Sequence, residues 1–349
     1  PSLSDTRVVI GNGGVFSAQD GSLTIYSPES DTSFTDDVDN VAFIHRIKEI
    51  DGRLYIVDNT VSDNAGRVTV YDASTRERLG QIQNVRPPRD ITIVSDTKAY
   101  IPNLSRFNPD FSAQPSTVSI VNPKAIANPD IEAFVDTIAV GRNPEGIVVT
   151  GGRAFVANSG GRTLSVIDTA SDTVEETVDV CSNPNEVFLD DEGEVVIVCE
   201  SNPAEVVFLN AETLQVNNRI DLPGAAGSVN GSQSAFYSDL AEALFVINGS
   251  TFDDEADSYY EVDTETNGFV RERDLPTSDE FVGVSAVAYD DVSQSLYLAR
   301  LPVNENGGAD FGSAGATFVL DQGNAGDTVT DTISVGISPS HIEIIRDAE

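Results

Sequence analysis

NPEGIVVTGGRAFVANSGGRTLSVIDTASDTVEETVDV, residues Asn143–Val180, contains four short β-type runs: Gly146–Thr150, Arg153–Asn158, Thr163–Asp168 and Val174–Val180. Apolar and β-branched residues fill the runs, and Gly-rich or acidic turns separate them, as in antiparallel hairpins. The same order of runs recurs from about residues 40, 86, 182, 225 and 281. The N-terminus supplies only the last three runs, Arg7–Asn12, Ser22–Tyr26 and Ser33–Val38. The missing first run stands at the other end of the chain, in Ser338–Ile345. This arrangement predicts an all-β, seven-bladed β-propeller of four-stranded antiparallel blades. The ring is expected to close through N- and C-terminal strands in one shared blade. The expected single domain, 1–349, divides into blade 1 (1–39 plus 336–349) and blades 2 to 7 (40–85, 86–140, 141–180, 181–222, 223–275 and 276–335).

Within the repeat, the second run ends on a recurring asparagine, at Asn12, Asn59, Asn103, Asn158 and Asn248. These residues are expected to form turns rather than to bind a ligand. Blade 5 departs from the pattern with Glu200 and blade 7 with Arg300. The third run closes on Asp72, Asn122, Asp168 or Asn210, residues that bond their own backbone in a following turn. Pro88, Pro144, Pro184 and Pro339 begin first runs, the place in a strand that suits proline.

The stretches NPEGIVVTGGRAFVAN (143–158) and TLSVIDTASDTVEETVDV (163–180) resemble the YVTN-type β-propeller repeat. That repeat is found in surface-layer-like proteins and in YncE-like periplasmic proteins. Weaker copies cover nearly the whole chain; blade 4 matches best, and blades 6 and 7 depart most. The resemblance implies a seven-bladed propeller closed by mixed terminal strands. It implies little about activity, because the fold hosts many jobs.

The chain has 349 residues, 40% of them hydrophobic, with 57 acidic and 20 basic side chains and a formal charge of −37. Such a field repels nucleic acid and anionic lipid. Lysine occurs only at 48, 98 and 124, and this low-lysine, high-acid balance predicts a protein adapted to high salt, where self-repulsion is screened. No apolar stretch approaches the roughly 18 residues of a membrane-spanning helix. No signal peptide is visible and Pro1 is not Met, so the sequence reads as a mature or trimmed product. Its polar start suits a trimmed lipid tether before Pro1. The hairpin Glu186–Val198 brings Cys199 back beside the residues just after Cys181. Two readings stand: a disulfide, which fits an extracytoplasmic location, or two buried thiols.

In propellers the first strands line a central channel. The residues expected at its mouth are His45, Arg46, Arg89, Glu145, Glu186 and His341, joined by Glu200 and Arg300. One reading is a small-ligand site; the other is a hydrated ring of mutually satisfied polar groups. No catalytic motif and no metal-ligand spacing appears. His45 and His341 with Glu145 or Glu186 are the residue types that suit zinc, though without a supporting spacing, and calcium is to be considered because acids cluster at Asp36–Asp39, Asp253–Asp257 and Asn304–Asp310; no other cofactor is expected. The long loops Leu104–Ser116, Gly249–Asp257 and Leu301–Gly315 carry Phe107, Phe111, Phe252 and Phe311, aromatics with no evident core to enter. They predict a surface for a protein, glycan or cell-envelope component. The expected function is a non-catalytic extracytoplasmic binding or scaffold propeller. The alternatives are a lactonase-like hydrolase using the channel mouth, as in some propellers resembling this group, and a structural subunit of an envelope assembly.

Overall fold

In the computed structural model, blade 4 consists of the strands Pro144–Thr150, Arg153–Asn158, Thr163–Asp168 and Thr173–Asp179, paired antiparallel in that order. The structure describes residues 6–15, 18–38, 41, 43–59, 66–104, 116–126, 133–229, 231–248, 258–276, 278–323 and 326–346. Phe155 faces Val148 on one side and Val166 on the other, and Val166 faces Glu176. The second and third strands are buried almost throughout, whereas the fourth, TVEETVD, is largely exposed. The composition follows: strands covered on both faces read as continuous apolar runs, and the outer strand carries Thr and Glu. Acidic side chains on such an edge also discourage pairing with a foreign strand.

Six more four-stranded sheets follow the same plan, which makes the fold a seven-bladed β-propeller. Blade 1 is completed from the far end of the chain: Pro339–Arg346 pairs with Thr6–Asn12, placing Ile344 opposite Val8 and Ile342 opposite Ile10. Two boundaries move from their expected places. The fourth strand of blade 7 runs to Ile337, and the first strand of blade 3 starts only at Thr92. Pro88 instead makes an isolated bridge to Asn103. Asn143, Asn183 and Ser338, each just before the proline that opens a first strand, are left-handed with φ of 49°, 56° and 53°. Asparagine tolerates that conformation better than most residues.

The chain divides into two compact units, one of Pro1–Leu54, Ala73–Thr75 and Gly224–Glu349, the other of Tyr55–Asp72 and Arg76–Pro223. The first contains blades 1, 6 and 7 and the first strand of blade 2. The first also holds Arg53, Leu54 and the turn Ala73–Thr75 of blade 2, and the second contains the remainder of blade 2 and blades 3, 4 and 5.

In the second unit, Phe155 and Val166 of blade 4 pack with Ile197, Val207 and Leu209 of blade 5. Tyr100 and Val118 of blade 3 join Ile147 and Val156 of blade 4. A Cβ on Gly146 would lie 2.7 Å from the Asn185 carbonyl oxygen, so glycine lets the first strands of blades 4 and 5 approach closely. In the first unit, Val8, Ile10 and Ile342 of blade 1 pack on Ala286, Tyr297 and Val319 of blade 7. Phe245 of blade 6 stacks on Tyr289 of blade 7 at 4.8 Å. Each fully buried aliphatic or aromatic side chain contributes roughly 1.5–3 kcal/mol.

Cationic side chains reinforce this packing at one repeat position near the start of the second strand. Arg7 donates to the Ala73 carbonyl at 2.5 Å. Lys98 donates to the Thr169 carbonyl at 2.9 Å and pairs with Asp172 at 2.8 Å. Arg153 donates to the Ala211 and Glu212 carbonyls at 3.1 and 2.7 Å. In each case the acceptor lies in the turn between the third and fourth strands of the next blade. In a chain with 20 basic residues, this use of three ties scarce positive charge to blade-to-blade packing.

Candidate functional site

The polar residues of interest gather at one corner of each blade, where the first strand begins and the second strand ends. The recurring asparagine sits there, and its role is not that of a turn former. Asn158 is buried and its Nδ2 donates to Thr163 Oγ1 and Ser165 Oγ, both at 3.1 Å. Asn12 donates likewise to Ser22 Oγ and Thr24 Oγ1 at 3.2 and 3.0 Å. Asn103 reaches Ser119 Oγ at 2.9 Å and the Thr117 carbonyl at 3.1 Å, and Asn248 reaches Ser258 Oγ at 2.9 Å. The asparagine is a clamp from the second strand onto the hydroxyls of the third. The sequence carried this signal in the Ser and Thr residues of the third runs, which reasoning from turns alone passed over.

Strand register also corrects two assignments. In blade 2 the second strand ends at Asp58 rather than Asn59, and the buried Asp58 carboxylate pairs with Arg67 at 2.8 Å. In blade 5 the strand ends at Cys199, opposite Pro184, so Cys199 takes the asparagine position and Glu200 follows it. Cys199 is joined to Cys181 by a disulfide with a Cα–Cα distance of 6.1 Å. In blade 7, Arg300 does hold the position; it donates to the Pro276 carbonyl at 2.9 Å and lies 5.6 Å from the centre of the Phe318 ring. The partners change with the clamp: opposite Cys199 stands Glu205 and opposite Arg300 stands Ala316, where blades 1, 3, 4 and 6 have Ser or Thr. By contrast, the Asp and Asn residues closing third strands bond their own turns, as expected. Asp168 Oδ1 accepts from Ser171 N at 2.7 Å, and Asn210 Oδ1 accepts from Thr213 N at 2.7 Å.

The second unit brings two of the expected mouth residues together. Arg89 Nε contacts Glu145 Oε2 at 2.5 Å, with both side chains nearly buried. Beside them Asp90, also buried, accepts from Ile91 N at 2.7 Å and from Ile147 N at 3.1 Å, so a blade 3 carboxylate binds the first strand of blade 4. Glu186 is buried on the first strand of blade 5. Glu200 is half-buried, and its backbone N–H donates to the Asn183 carbonyl at 2.9 Å.

In the first unit, His45 and Arg46 are buried on the first strand of blade 2, and His341 is buried on the first strand of blade 1. Ser340 Oγ donates to the Ile44 carbonyl at 2.5 Å, which sets the two histidine-bearing strands side by side. The His45 ring lies 6.4 Å from the ring of Phe43, and His341 Nε2 lies 3.9 Å from Glu343 Oε2. The other oxygen of Glu343 accepts from Glu49 N at 2.9 Å. Sequence reasoning missed Gln233, whose side-chain amide accepts from Ile342 N at 3.0 Å and donates to Ile342 O at 3.2 Å. Its signal was the Ser- and Gly-rich stretch 228–234, longer than the segments before the other first strands.

Phe311 lies in the loop between the second and third strands of blade 7 and is 38% exposed. Phe107, Phe111 and Phe252 lie outside the described residues. The loop folds on its own polar groups: Asn304 Oδ1 accepts from Asn306 N at 2.8 Å, and Asp310 accepts from Gly312 N at 2.8 Å and Ser313 Oγ at 2.6 Å. These last two bonds, the Ser313 hydroxyl first, hold the Asp310 carboxyl below its usual range. Among the described residues, no three His, Cys, Asp or Glu side chains stand together as metal ligands. Asp190, at the turn of the blade 5 hairpin, titrates at about 6 because burial raises it, and nearby Glu194 and Glu192 add to the effect.

No family model matches the chain, and no curated protein matches it in sequence. Solved structures match its fold. A functionally unknown protein from Desulfotomaculum acetoxidans DSM 771 aligns at TM-score 0.66 with 10% identity, over 99% of this chain and 100% of that one. A candidate 6-phosphogluconolactonase from Bacteroides uniformis ATCC 8492 aligns at TM-score 0.66 with 12% identity, over 98% and 100%. Kuenenia stuttgartiensis hydrazine synthase aligns at TM-score 0.53 with 15% identity, over 70% of this chain and 66% of that one, so the chain spans about two thirds of that protein. At these identities the likeness defines the class, the seven-bladed β-propeller, and nothing finer.

Proposed function

We propose that this chain is a non-catalytic, salt-adapted binding propeller of the YVTN and YncE-like kind. It works outside the cytoplasm and holds a protein, glycan or envelope component on its loop-rich face. What the inner polar residues bind supports this reading best. Arg89 pairs with Glu145, Asp90 bonds the amides of Ile91 and Ile147, and Arg300 donates to a carbonyl. Groups used in this way join strands and blades, whereas an acid–base pair serving catalysis must be aimed at a substrate. Phe311, by contrast, is partly exposed in its loop. A buried disulfide suits an oxidising compartment, and the charge of −37 suits concentrated salt.

The test is binding to the cell-envelope fraction in molar KCl, comparing wild type with Phe311→Ser and Glu145→Gln. The reading expects Phe311→Ser to lose binding and Glu145→Gln to keep it. Equal binding by all three removes the loop as the working surface. The second reading, a lactone hydrolase, draws on the structural neighbour described as a candidate 6-phosphogluconolactonase. Lactone opening by wild type that Glu145→Gln abolishes would replace the first reading with the second.

A further inference from the structure

We propose that the Cys181–Cys199 bond is the blade 5 substitute for the asparagine clamp, and that it makes this corner of the protein redox-sensitive. The equivalence rests on register. Cys181 stands three residues before Pro184, as Gly141 stands before Pro144 and Gly336 before Pro339. Cys199 lies opposite Pro184, as Asn158 lies opposite Pro144 and Asn12 opposite Pro339. In blade 4 a Cβ on Gly141 would fall 2.4 Å from Asn158 Cγ; in blade 1 a Cβ on Gly336 would fall 2.8 Å from Asn12 Cγ. The clamp asparagine therefore packs directly on the glycine backbone. Blade 5 replaces both partners at once, Gly by Cys181 and Asn by Cys199, and covalently links the segments that blades 1 and 4 hold by packing and hydrogen bonds.

Its third strand has changed with them. Blade 4 offers Thr163 and Ser165 to the clamp amide; at the matching places blade 5 has Glu205 and Val207. With the bond reduced, this corner would contain two buried thiols, which are weak hydrogen-bonding groups, and no amide–hydroxyl set to replace the link. A dithiol reductant supplies two electrons and two protons; the S–S bond breaks, Cys181 and Cys199 become thiols, and the reductant closes its own disulfide. The segments freed are those on either side of the bond: Asn183, which exchanges hydrogen bonds with Glu200 (Nδ2 to O at 2.6 Å, and O from N at 2.9 Å), and the strand start with Glu186. Blades 1, 3, 4 and 6 hold this corner with asparagine and contain no cysteine there, so reduction acts on blade 5 alone.

The experiment compares three proteins in matched salt, with and without dithiothreitol: wild type, Cys181→Ser/Cys199→Ser, and the four-fold variant Cys181→Gly/Cys199→Asn/Glu205→Thr/Val207→Ser. The last copies the blade 4 clamp into blade 5. Thiol counting after denaturation establishes the redox state in each arm. Reduced wild type is expected to melt about 5 °C lower than the oxidised protein, close to the double-serine variant. Hydrogen exchange should rise at 181–186 and 199–205 and not in the equivalent corner of blade 4. The four-fold variant should melt above the double-serine protein and ignore the reductant. A four-fold variant that melts with or below the double-serine protein overturns the clamp equivalence. A native protein whose bond resists dithiothreitol, or whose reduction leaves exchange in blade 5 unchanged, overturns the redox sensitivity.

Discussion

Asn158 satisfies the buried Ser165 hydroxyl and the half-buried Thr163 hydroxyl with one amide, so its loss has a defined cost. Asn158→Ala leaves Thr163 and Ser165 without that donor and is expected to lower stability by about 2 kcal/mol, read from the denaturation midpoint. An unchanged midpoint would mean that water replaces the amide. Asp190 makes a prediction of opposite sign. Its carboxyl titrates at about 6 in the folded protein because burial disfavours the charged form. In the unfolded chain it titrates near 4, so the folded state bears a penalty that is absent below about pH 4 and complete above about pH 6. Asp190→Asn keeps an acceptor for Glu194 N, which Asp190 Oδ1 binds at 2.7 Å, and removes the charge. The variant is expected to gain on the order of 1–2 kcal/mol at pH 7 and nothing at pH 4, by denaturation at the two pH values. A gain that persists at pH 4 would assign the effect to packing rather than charge.

At the scale of the element, the blade alternates two kinds of strand. The inner strands bury both faces and need only be apolar and β-branched. Apolar packing joins one blade to the next, and a few long polar side chains reinforce it. Arg153 is one of these, with two carbonyls of blade 5 on one guanidinium nitrogen and Glu175 on another at 2.5 Å. Arg153→Ala is expected to cost about 1–2 kcal/mol, and Arg153→Lys to recover part of that, because an ammonium keeps the charge but loses the planar fork. Equal stability of all three would place the blade contact in apolar packing alone. The four-run repeat was legible because strands need apolar and β-branched runs and turns need Gly, Asp and Asn. The clamps were not, since each depends on which residue stands across the sheet. Asn59 and Glu200 lay one residue beyond the positions that register selects, Asp58 and Cys199.

For the molecule as a whole, the strand Pro339–Arg346 carries more than a pairing. It lies between Thr6–Asn12 and the amide of Gln233, and Arg346 reaches Asp290 at 2.8 Å and Asp291 at 3.3 Å on blade 7. Asp290 is buried, so Arg346→Gln leaves a buried carboxylate short of its cation and is expected to cost roughly 2 kcal/mol, discounted for the partial exposure of the arginine. Removal of 338–349 should do much more, lowering the melting temperature further and exposing the inner face of Thr6–Asn12; calorimetry on both variants measures the difference. Truncation no worse than the point change would show that the terminal strand is dispensable. Of the candidate mouth, the sequence named Arg89 and Glu145 separately. Their union across two blades became visible only in three dimensions, because 56 residues of chain separate them.

The sequence by itself determined the repeat, the four-stranded blade and the split first blade, because strand periodicity, turn chemistry and repeat length are local properties that survive without coordinates. Tertiary structure alone decided which polar residues meet. Register across the sheet turned asparagines into clamps and put a cysteine in the place of one of them. Packing of one blade on the next brought Arg89 to Glu145 and Arg153 to the carbonyls of blade 5. These contacts join residues far apart in the chain, and their energies depend on burial and geometry, which no local pattern of residues encodes.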